Sequence, residues 1–294
     1  MEKSMKKYSN QMPTINNSKT FLLGLGVQKG GTSWLHEQLN KRKDANFGFL
    51  KEYHFLDALT LDAFANFRPI HPSPWRWRTW RRHRFFQRPE RYFDYFADLL
   101  NQPDISLSGD ITPSYGCLSS STLRWVVDEF EQRGVRTCAV LILRDPVERF
   151  LSQQRMKLRK AGRLEPEQER QQLLRAAQKL SKDGSNRSNH LQTLTALEHV
   201  FSRENMFIGL YEQLFTEGCY RNLCLKLRVP YQRPNWNQRV NESRSTTSIS
   251  KEILSSIGKS QSVVFEGIAA KYPELNISAH WPTATRWCRE SLKD

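Results

Sequence analysis

One apolar run and the loop that follows it constrain the fold of this chain more than any other feature. Phe21–Val27 is continuously apolar and leads into Gln28-Lys29-Gly30-Gly31-Thr32-Ser33. An unbroken apolar run of this length is typical of a strand buried on both faces. The two glycines permit a tight turn, and Trp34–Leu39 is predicted to be helical with Thr32 or Ser33 as its cap. We therefore expect a strand, a glycine-rich loop and a helix in succession.

The same alternation recurs downstream. Ser119–Phe130 is an amphipathic helix pattern, Thr137–Leu143 a second buried strand, and Met206–Tyr211 a third. After the second strand, Asp145 is placed to cap a helix with Pro146 at its first position. Further helices are predicted over 165–180, 187–202, 219–228 and 249–272. Strands alternating with helices indicate an α/β fold with a parallel sheet covered on both faces, and its ligand should lie at the carboxyl ends of the strands.

Composition narrows the functional class. The chain has 45 Lys and Arg against 30 Asp and Glu, a formal charge of +15, and 38% hydrophobic residues, enough for a core. The excess charge predicts an anionic partner: a phosphate-bearing cofactor, an acidic or sulfated glycan, a nucleic acid or a membrane surface. No apolar run reaches the roughly 18 residues of a membrane-spanning helix.

The cysteine content indicates the redox compartment, and the lack of a linker sequence indicates the number of domains. Five cysteines without a CxxC pair argue against a disulfide framework or a zinc site, so we expect no metal and a reducing, cytoplasmic setting. No Gly/Ser-rich linker is present. We expect a loosely ordered tail over residues 1–19 and a single domain over 20–294.

The glycine-rich loop has the chemistry of an anion site. Backbone N–H groups in such a turn, together with a helix N-terminus, bind phosphate-like groups, and Lys29 adds a full charge. A Walker A loop places its lysine after the glycines, whereas Lys29 precedes Gly30 and Gly31. The alternative is a structural turn with a surface lysine.

Two other segments contain candidate site residues. In Lys51-Glu52-Tyr53-His54-Phe55, an extended backbone would point Glu52 and His54 to the same face, where a carboxylate can act as a general base. The alternative is a loop with a solvated glutamate and a packed histidine. Arg144 ends the second strand, and Ser152 follows two helical turns later, so both can face one groove and hold a phosphate. The alternative there is an arginine ion-paired with Asp145 or Glu148.

Together these segments resemble a known family. The stretches QKGGTSWLHEQL, KEYHFLD, GDITPSYG (109–116) and LRDPVERFLSQ (143–153) resemble the sulfotransferases that use 3′-phosphoadenosine 5′-phosphosulfate (PAPS), in particular bacterial relatives of the heparan sulfate and carbohydrate sulfotransferases. The resemblance extends from about Phe21 to Tyr211 and more weakly to Trp281. It implies a P-loop-like three-layer α/β fold, a PAPS donor and no metal.

The resemblance also implies roles for individual residues. Lys29 contacts the bond that breaks, Glu52 is the base toward the acceptor with His54 beside it, and Asp110 and Tyr115 line the acceptor cleft. The cofactor-binding residues are Lys29, Gly30, Gly31, Thr32, Ser33, Arg144 and Ser152. Asp110 replaces a more frequent glutamate, and Ile111 stands where the heparan enzymes have a lysine. The best match to the family's C-terminal cofactor loop is Arg239–Arg244.

The segment 75–91 is rich in tryptophan and arginine. It includes Trp77 and Arg78, which we regard as candidates for acceptor binding, since such side chains stack on sugars while pairing with anions. A peripheral membrane contact is a second interpretation, and indoles packed on the protein with solvated arginines a third.

The expected function is transfer of a sulfuryl group from PAPS to a hydroxyl or amine of an acceptor, such as a carbohydrate or another anionic molecule, with no nucleic-acid partner. Three alternatives stay open: a P-loop-like kinase, a polyanion or nucleic-acid binder, and a family member that binds the nucleotide without transferring sulfate.

Overall fold

The computed structural model describes residues 19–70, 72–73, 75–162, 165–184, 188–238 and 249–290. Most of the expected N-terminal tail and the candidate cofactor loop Arg239–Arg244 lie outside the described residues. The described strands and longer helices, in chain order, are β1 (Thr20–Gly24), α1 (Thr32–Asn40), α2 (Leu56–Thr60), α3 (Trp77–Gln87), α4 (Glu90–Leu100), β2 (Leu107–Ile111), α5 (Ser120–Glu131), β3 (Arg136–Leu143), α6 (Pro146–Ala161), α7 (Pro166–Asp183), α8 (His190–Glu198), β4 (Met206–Leu210), α9 (Tyr211–Leu214), α10 (Glu217–Leu227), α11 (Lys251–Lys271), α12 (Ile277–His280) and α13 (Pro282–Glu290).

The four strands form one parallel sheet in the order β2-β1-β3-β4. Because β1 lies between β2 and β3, the loops that follow β1 and β3 leave the same edge of the sheet side by side. Backbone bonds continue this pairing beyond β1: Val27 N donates to Ile142 O at 2.9 Å. The glycine-rich loop and the Arg144 segment are thereby brought together.

Alternating side chains of the strands fill two cores, one on each face of the sheet. On one face Leu22 and Val140 pack with Trp34 and Leu35 of α1. On the other, Phe21 stacks on Phe130 of α5, with ring centroids 4.0 Å apart, and meets residues of α4. Both faces of every strand are therefore covered, which confirms the predicted three-layer α/β fold.

Two carboxylates, those of buried Asp145 and of Glu212, connect the C-terminal helices to the end of β3. The Asp145 side chain accepts from Val147 N and so caps α6, as predicted, while its other oxygen accepts from Ala284 N of α13 at 2.9 Å. Glu212 accepts from Asp145 N at 3.2 Å and from the indole of buried Trp281 at 2.9 Å. These bonds pack α13 against the start of α6.

Some local predictions were wrong. Neither Thr32 nor Ser33 caps α1, because the cap position is Gly31 in the left-handed conformation and the two hydroxyl residues are already helical. Strand β2 and helices α2, α3, α4, α9, α12 and α13 were not predicted. None of the helices in the described part of the chain is long and apolar enough to cross a membrane.

Candidate active site

A cavity of about 890 Å³ opens at the carboxyl ends of β1 and β3. The residues that line it come from the loops after both strands, from the segment 51–54, from the helix after β3 and from the start of α9. They are Gln28, Lys29, Gly31, Thr32, Ser33, Trp34, Lys51, Glu52, His54, Phe67, Pro113, Ser114, Arg144, Ser152, Met156, Arg159, Lys160, Tyr211, Phe215 and Gln238. Most of the predicted donor-side and base-side residues thus face one space.

The glycine-rich loop depends on backbone conformations that favour glycine. Gly31 has φ 83°, and a Cβ there would lie 2.8 Å from Leu214 Cδ2. A Cβ at Gly30 would lie 2.7 Å from Ile142 O, so the loop packs directly on the end of β3. Because the cap residue is a glycine and the first turn of α1 has no acid, the N–H groups at this helix end can bind an anion.

Side chains of α6 stabilise the glycine-rich loop through hydrogen bonds. Gln153 Nε2 donates to Gln28 Oε1 at 2.7 Å, just before Lys29. Gln153 in turn accepts from fully buried Arg149, which also donates to Ser188. Sequence reasoning did not find this chain of hydrogen bonds, since polar residues on an otherwise mixed helix give no signal of their partners.

Arg144 contacts the glycine-rich loop instead of an acid. Its Nη1 donates to Lys29 O at 2.9 Å, and its guanidinium lies 4.5 Å from the centre of the Tyr211 ring. The alternative of an ion pair with Asp145 or Glu148 is wrong: among the described residues Arg144 pairs with neither, since Asp145 caps α6 and Glu148 accepts from Thr283 at 3.1 Å. Arg144 Nε is buried and has no hydrogen-bond partner among the described residues, so the guanidinium retains capacity to donate. Ser152, two turns along α6, faces the same cavity.

Lys51 links the loop to the acidic side of the cavity. Its Nζ donates to Ser33 Oγ at 2.9 Å and to Glu52 Oε1 at 2.6 Å. The sequence analysis predicted no role for Lys51. Its position next to Glu52, within a segment predicted to belong to the site, was the one feature that could have indicated this role.

His54 lies between two carboxylates. Its Nδ1 is 2.7 Å from Oδ2 of fully buried Asp57, and its Nε2 is 3.4 Å from Oε2 of Glu52. The ring stacks on Phe67 with centroids 3.8 Å apart, and Ser114 donates to Asp57 from below. The expected extended backbone is wrong, because His54 has φ 47°, yet the two side chains do meet.

These contacts shift the pKa values of both groups. Burial acts to raise the pKa of Glu52, but hydrogen bonds from His54 and the charge of Lys51 lower it to about 2. Burial acts to lower the pKa of His54, but hydrogen bonds to Asp57 and Glu52 raise it to about 9. At neutral pH the pair is therefore a carboxylate and an imidazolium.

The remaining lining is strongly cationic. Besides the His54 imidazolium, the described residues that line the cavity include five positively charged side chains and one acid, Glu52; the five are Lys29, Lys51, Arg144, Arg159 and Lys160. Burial and the charges of Arg159 and Arg144 lower the pKa of Lys29. An anion bound here would relieve that repulsion, so the electrostatics favour a ligand with several negative charges.

Comparison with solved structures agrees with this architecture. The structure is similar to that of a sulfotransferase from Alicyclobacillus acidocaldarius, with a TM-score of 0.57 and 15% identity over 88% of this chain and 96% of that one. The chain has the fold of a sulfotransferase. The sulfotransferase domain of the Synechococcus PCC 7002 olefin synthase aligns with a TM-score of 0.48, 13% identity and coverage of 86% of this chain and 97% of that domain. Neither a protein-family model nor a curated protein sequence matches the chain.

Within this sulfotransferase fold, Asp110 and Tyr115 do not line the cleft. Both are completely buried, so the prediction that they bind the acceptor is wrong. Asp110 accepts from Tyr115 Oη at 2.6 Å, from Tyr92 Oη at 3.0 Å and from Tyr53 N at 3.3 Å. Tyr115 Oη also accepts from Phe55 N at 3.2 Å. The two residues hold the backbone around His54 from below and act as positioning residues.

Trp77 and Arg78 also lie away from the cavity lining. Both are exposed on α3, where Trp77 packs against Phe49 with ring centroids 5.4 Å apart. Their neighbour Arg82 points inward instead, and its Nη2 donates to Phe67 O at 2.8 Å and His54 O at 3.3 Å. Helix α3 is thereby attached to the backbone of the site while its other face is exposed.

Proposed function

We propose that this protein transfers a sulfuryl group from PAPS to a hydroxyl or amine of an acceptor. The observation that carries the proposal is a single cavity with a cationic, glycine-rich anion site on one side and a buttressed carboxylate, Glu52, on the other. In-line transfer of a sulfuryl group from the bridging oxygen of the donor to an acceptor oxygen or nitrogen requires those two halves to face each other.

The donor side offers two separate sites for negative groups. The N-terminus of α1 with Lys29 suits the 5′-phosphosulfate, and Arg144 with Ser152 suits the 3′-phosphate. The direct bond from Arg144 to the backbone of Lys29 couples the two sites, so occupation of one orients the other.

In the reaction, the acceptor oxygen or nitrogen attacks sulfur on the side opposite the bridging oxygen. The bond between sulfur and that oxygen breaks, and 3′-phosphoadenosine 5′-phosphate leaves with the electron pair. Glu52 takes the acceptor proton, and Lys29 neutralises the charge that grows on the bridging oxygen. His54, held by Asp57, orients the Glu52 carboxylate.

The acceptor class we propose is a carbohydrate or another anionic molecule. Arg159 and Lys160 support it, because they add positive charge to the lining beyond the residues assigned to the donor. Ile111 is buried in β2 and offers no cationic contact, so a heparan-like acceptor is not favoured. We propose that the transfer takes place in the cytoplasm and needs no metal.

The deciding experiment incubates the protein with PAPS and a panel of sugars, alcohols, amines and tyrosine peptides, followed by mass spectrometry for an added sulfuryl group. Sulfated product that depends on Glu52, with release of the bisphosphate, would support the proposal. Bisphosphate binding without product on any acceptor would favour the alternative of a nucleotide-binding protein. Phosphoryl transfer from ATP with Mg²⁺ would favour the kinase alternative.

A further inference from the structure

The exposed face of α3 and the residues just before it are apolar and cationic, and the proposed reaction does not use them. Six large apolar side chains among the described residues are exposed, and four of them lie between positions 70 and 80. These are Ile70, Trp75, Trp77 and Trp80, which are 75%, 95%, 52% and 40% exposed. Indoles are costly to leave in water, so their concentration in one stretch indicates a binding surface.

The charges of the same segment all have one sign. Between Asp62 and Glu90 the sequence has seven arginines and no acidic residue. Arg82 is used internally, as described above, whereas Arg78 and Arg88 are exposed and Arg84 lies over the Trp80 ring, 5.0 Å from its centre. The helical spacing of Trp77, Trp80 and Arg84 puts indoles and a guanidinium group on one face, and Arg88 follows directly after the helix.

We propose that this α3 surface binds an anionic lipid bilayer. We define it by the residues Ile70, Trp75, Trp77, Arg78, Trp80, Arg84 and Arg88. Tryptophan side chains insert at the level of the lipid headgroups, and guanidinium groups pair with the lipid phosphates around them. No residue of α3 is among the described residues that line the 890 Å³ cavity, so the surface is separate from the site of the proposed reaction.

The bilayer contact adjoins the active site. Arg82, on the inner side of α3, donates to the backbone of His54 and Phe67, both of which line the cavity. A protein bound through α3 therefore holds this side of its cavity next to the membrane. This placement suits an acceptor that resides in or near the lipid surface, a consequence that rests on the proposed function, whereas the binding itself does not.

The test is co-sedimentation with vesicles of phosphatidylcholine alone and of an equal mixture with phosphatidylglycerol. We expect binding to the mixed vesicles only, and weaker binding as salt rises. The variant Arg78→Gln/Arg84→Gln/Arg88→Gln should lose roughly 100-fold in affinity, since each basic residue near an anionic surface contributes about fivefold. Trp75→Ser/Trp77→Ser should lose roughly tenfold.

A matched control removes the same charge elsewhere. Arg170→Gln/Arg221→Gln/Arg289→Gln changes three exposed arginines on α7, α10 and α13 and should bind vesicles nearly as wild type does. Replacing Arg78, Arg84 and Arg88 by lysine keeps the charge and should retain most of the binding. Melting temperatures of all variants establish that they are folded.

Three results would overturn the proposal. The first is wild-type protein that binds neither vesicle, and the second is an equal loss in the α3 variant and the control variant. The third is binding of a single-stranded oligonucleotide through these residues while vesicles stay unbound, which would assign the surface to nucleic acid. Because the readout is vesicle binding, a failure here is separate from a failure to transfer sulfate.

Discussion

The Nε2 atom of His54 lies 3.4 Å from Oε2 of Glu52, while its other ring nitrogen is held 2.7 Å from buried Asp57. An imidazole between two carboxylates is stabilised as the cation, in which both nitrogens donate. Glu52 then remains an ionised carboxylate at neutral pH, and His54 has no lone pair to accept a proton. The arrangement favours Glu52 as the proton acceptor and His54 as the residue that orients it.

The pH dependence of turnover distinguishes these roles. With a pKa of about 2 for Glu52, kcat/KM should be nearly flat from about pH 4 to about pH 8 if the carboxylate is the base. With a pKa of about 9 for His54, the rate should instead rise about tenfold per pH unit toward that value if the neutral imidazole is the base. Steady-state rates across this range, on an acceptor for which chemistry limits turnover, decide between them.

Substitution separates the two residues further. Glu52→Gln should leave nucleotide affinity close to wild type and lower kcat by roughly 10²–10⁴-fold, since it keeps the shape and removes the base. His54→Asn suits the left-handed backbone at this position. It should cost less activity, and loss of the imidazolium should raise the pKa of Glu52, so that an acidic limb moves up into the measurable range. Near-normal turnover in Glu52→Gln with a collapse in His54→Asn would reverse the assignment.

Nucleotide binding tests the donor site. At 100-fold over its Kd, 3′-phosphoadenosine 5′-phosphate should stabilise the fold by about 2.7 kcal/mol, a rise of several degrees in Tm. ATP with Mg²⁺ should do less, because it has no 3′-phosphate for Arg144 and Ser152. Arg144→Ala should remove most of the preference for the 3′-phosphate, about 1.5–3 kcal/mol, in thermal-shift or calorimetric titrations. Stronger stabilisation by ATP would contradict the donor assignment.

Gly31→Ala tests the shape of the anion loop. The substitution forces a side chain into φ 83° and places its Cβ 2.8 Å from Leu214 Cδ2, so it should reduce stability by more than about 1 kcal/mol and weaken bisphosphate binding. Gly134→Ala is the matched control. Its φ is 66°, and a Cβ there meets nothing within 4 Å, so it should reduce stability through backbone strain alone and leave bisphosphate affinity unchanged. Equal affinity in both variants would argue against an anion at this turn.

Asp110 supplies a test of the support beneath the site. Burial raises its pKa to about 6, against hydrogen bonds from Thr112 and Tyr115 that lower it. Because a raised folded pKa means that the folded protein holds the proton more tightly, its contribution to stability falls as pH rises from about 4 through about 6. Asp110→Asn should flatten that part of the profile in urea unfolding. Asp110→Ala leaves several buried donors without an acceptor and should cost about 3 kcal/mol or more.

The fold was predictable where burial alone determines the pattern. β1 and β3 are continuous apolar runs because both of their faces are covered. The start of α6 was predictable because Asp145 precedes Pro146, a pattern typical of a helix N-cap. β2 was missed because it contains Asp110, and only the buried tyrosines that surround this carboxylate explain how it fits in a strand. Polar residues in a core are satisfied by partners distant in sequence, which a local pattern does not contain.

The same limit applies to the site. Lys29, Glu52, His54, Arg144 and Ser152 were expected, and all of them line the cavity. Asp57 was not, although it lies only three residues from His54, because its role depends on the left-handed turn at His54 that folds the chain back. Asp110 and Tyr115 were predicted to line the cavity but are buried beneath it. A sequence motif shows that a segment lies near a site, but not which of its side chains face the ligand.

The hydrogen bonds of the Asp145 carboxylate connect the proposed nucleotide site to the C-terminal helices. Asp145 directly follows Arg144, and its carboxylate accepts a hydrogen bond from Ala284 N. The Glu212 carboxylate accepts from both Asp145 N and the Trp281 indole. The N-terminus of α6 and helix α13 should therefore open together in local unfolding, as one cooperative unit. Amide protons over 281–289 should exchange more slowly when the bisphosphate occupies the Arg144 site, although that stretch supplies no residue to the cavity lining. A C-terminal segment remote from the chemistry thus reports, in its exchange rates, whether the nucleotide is bound.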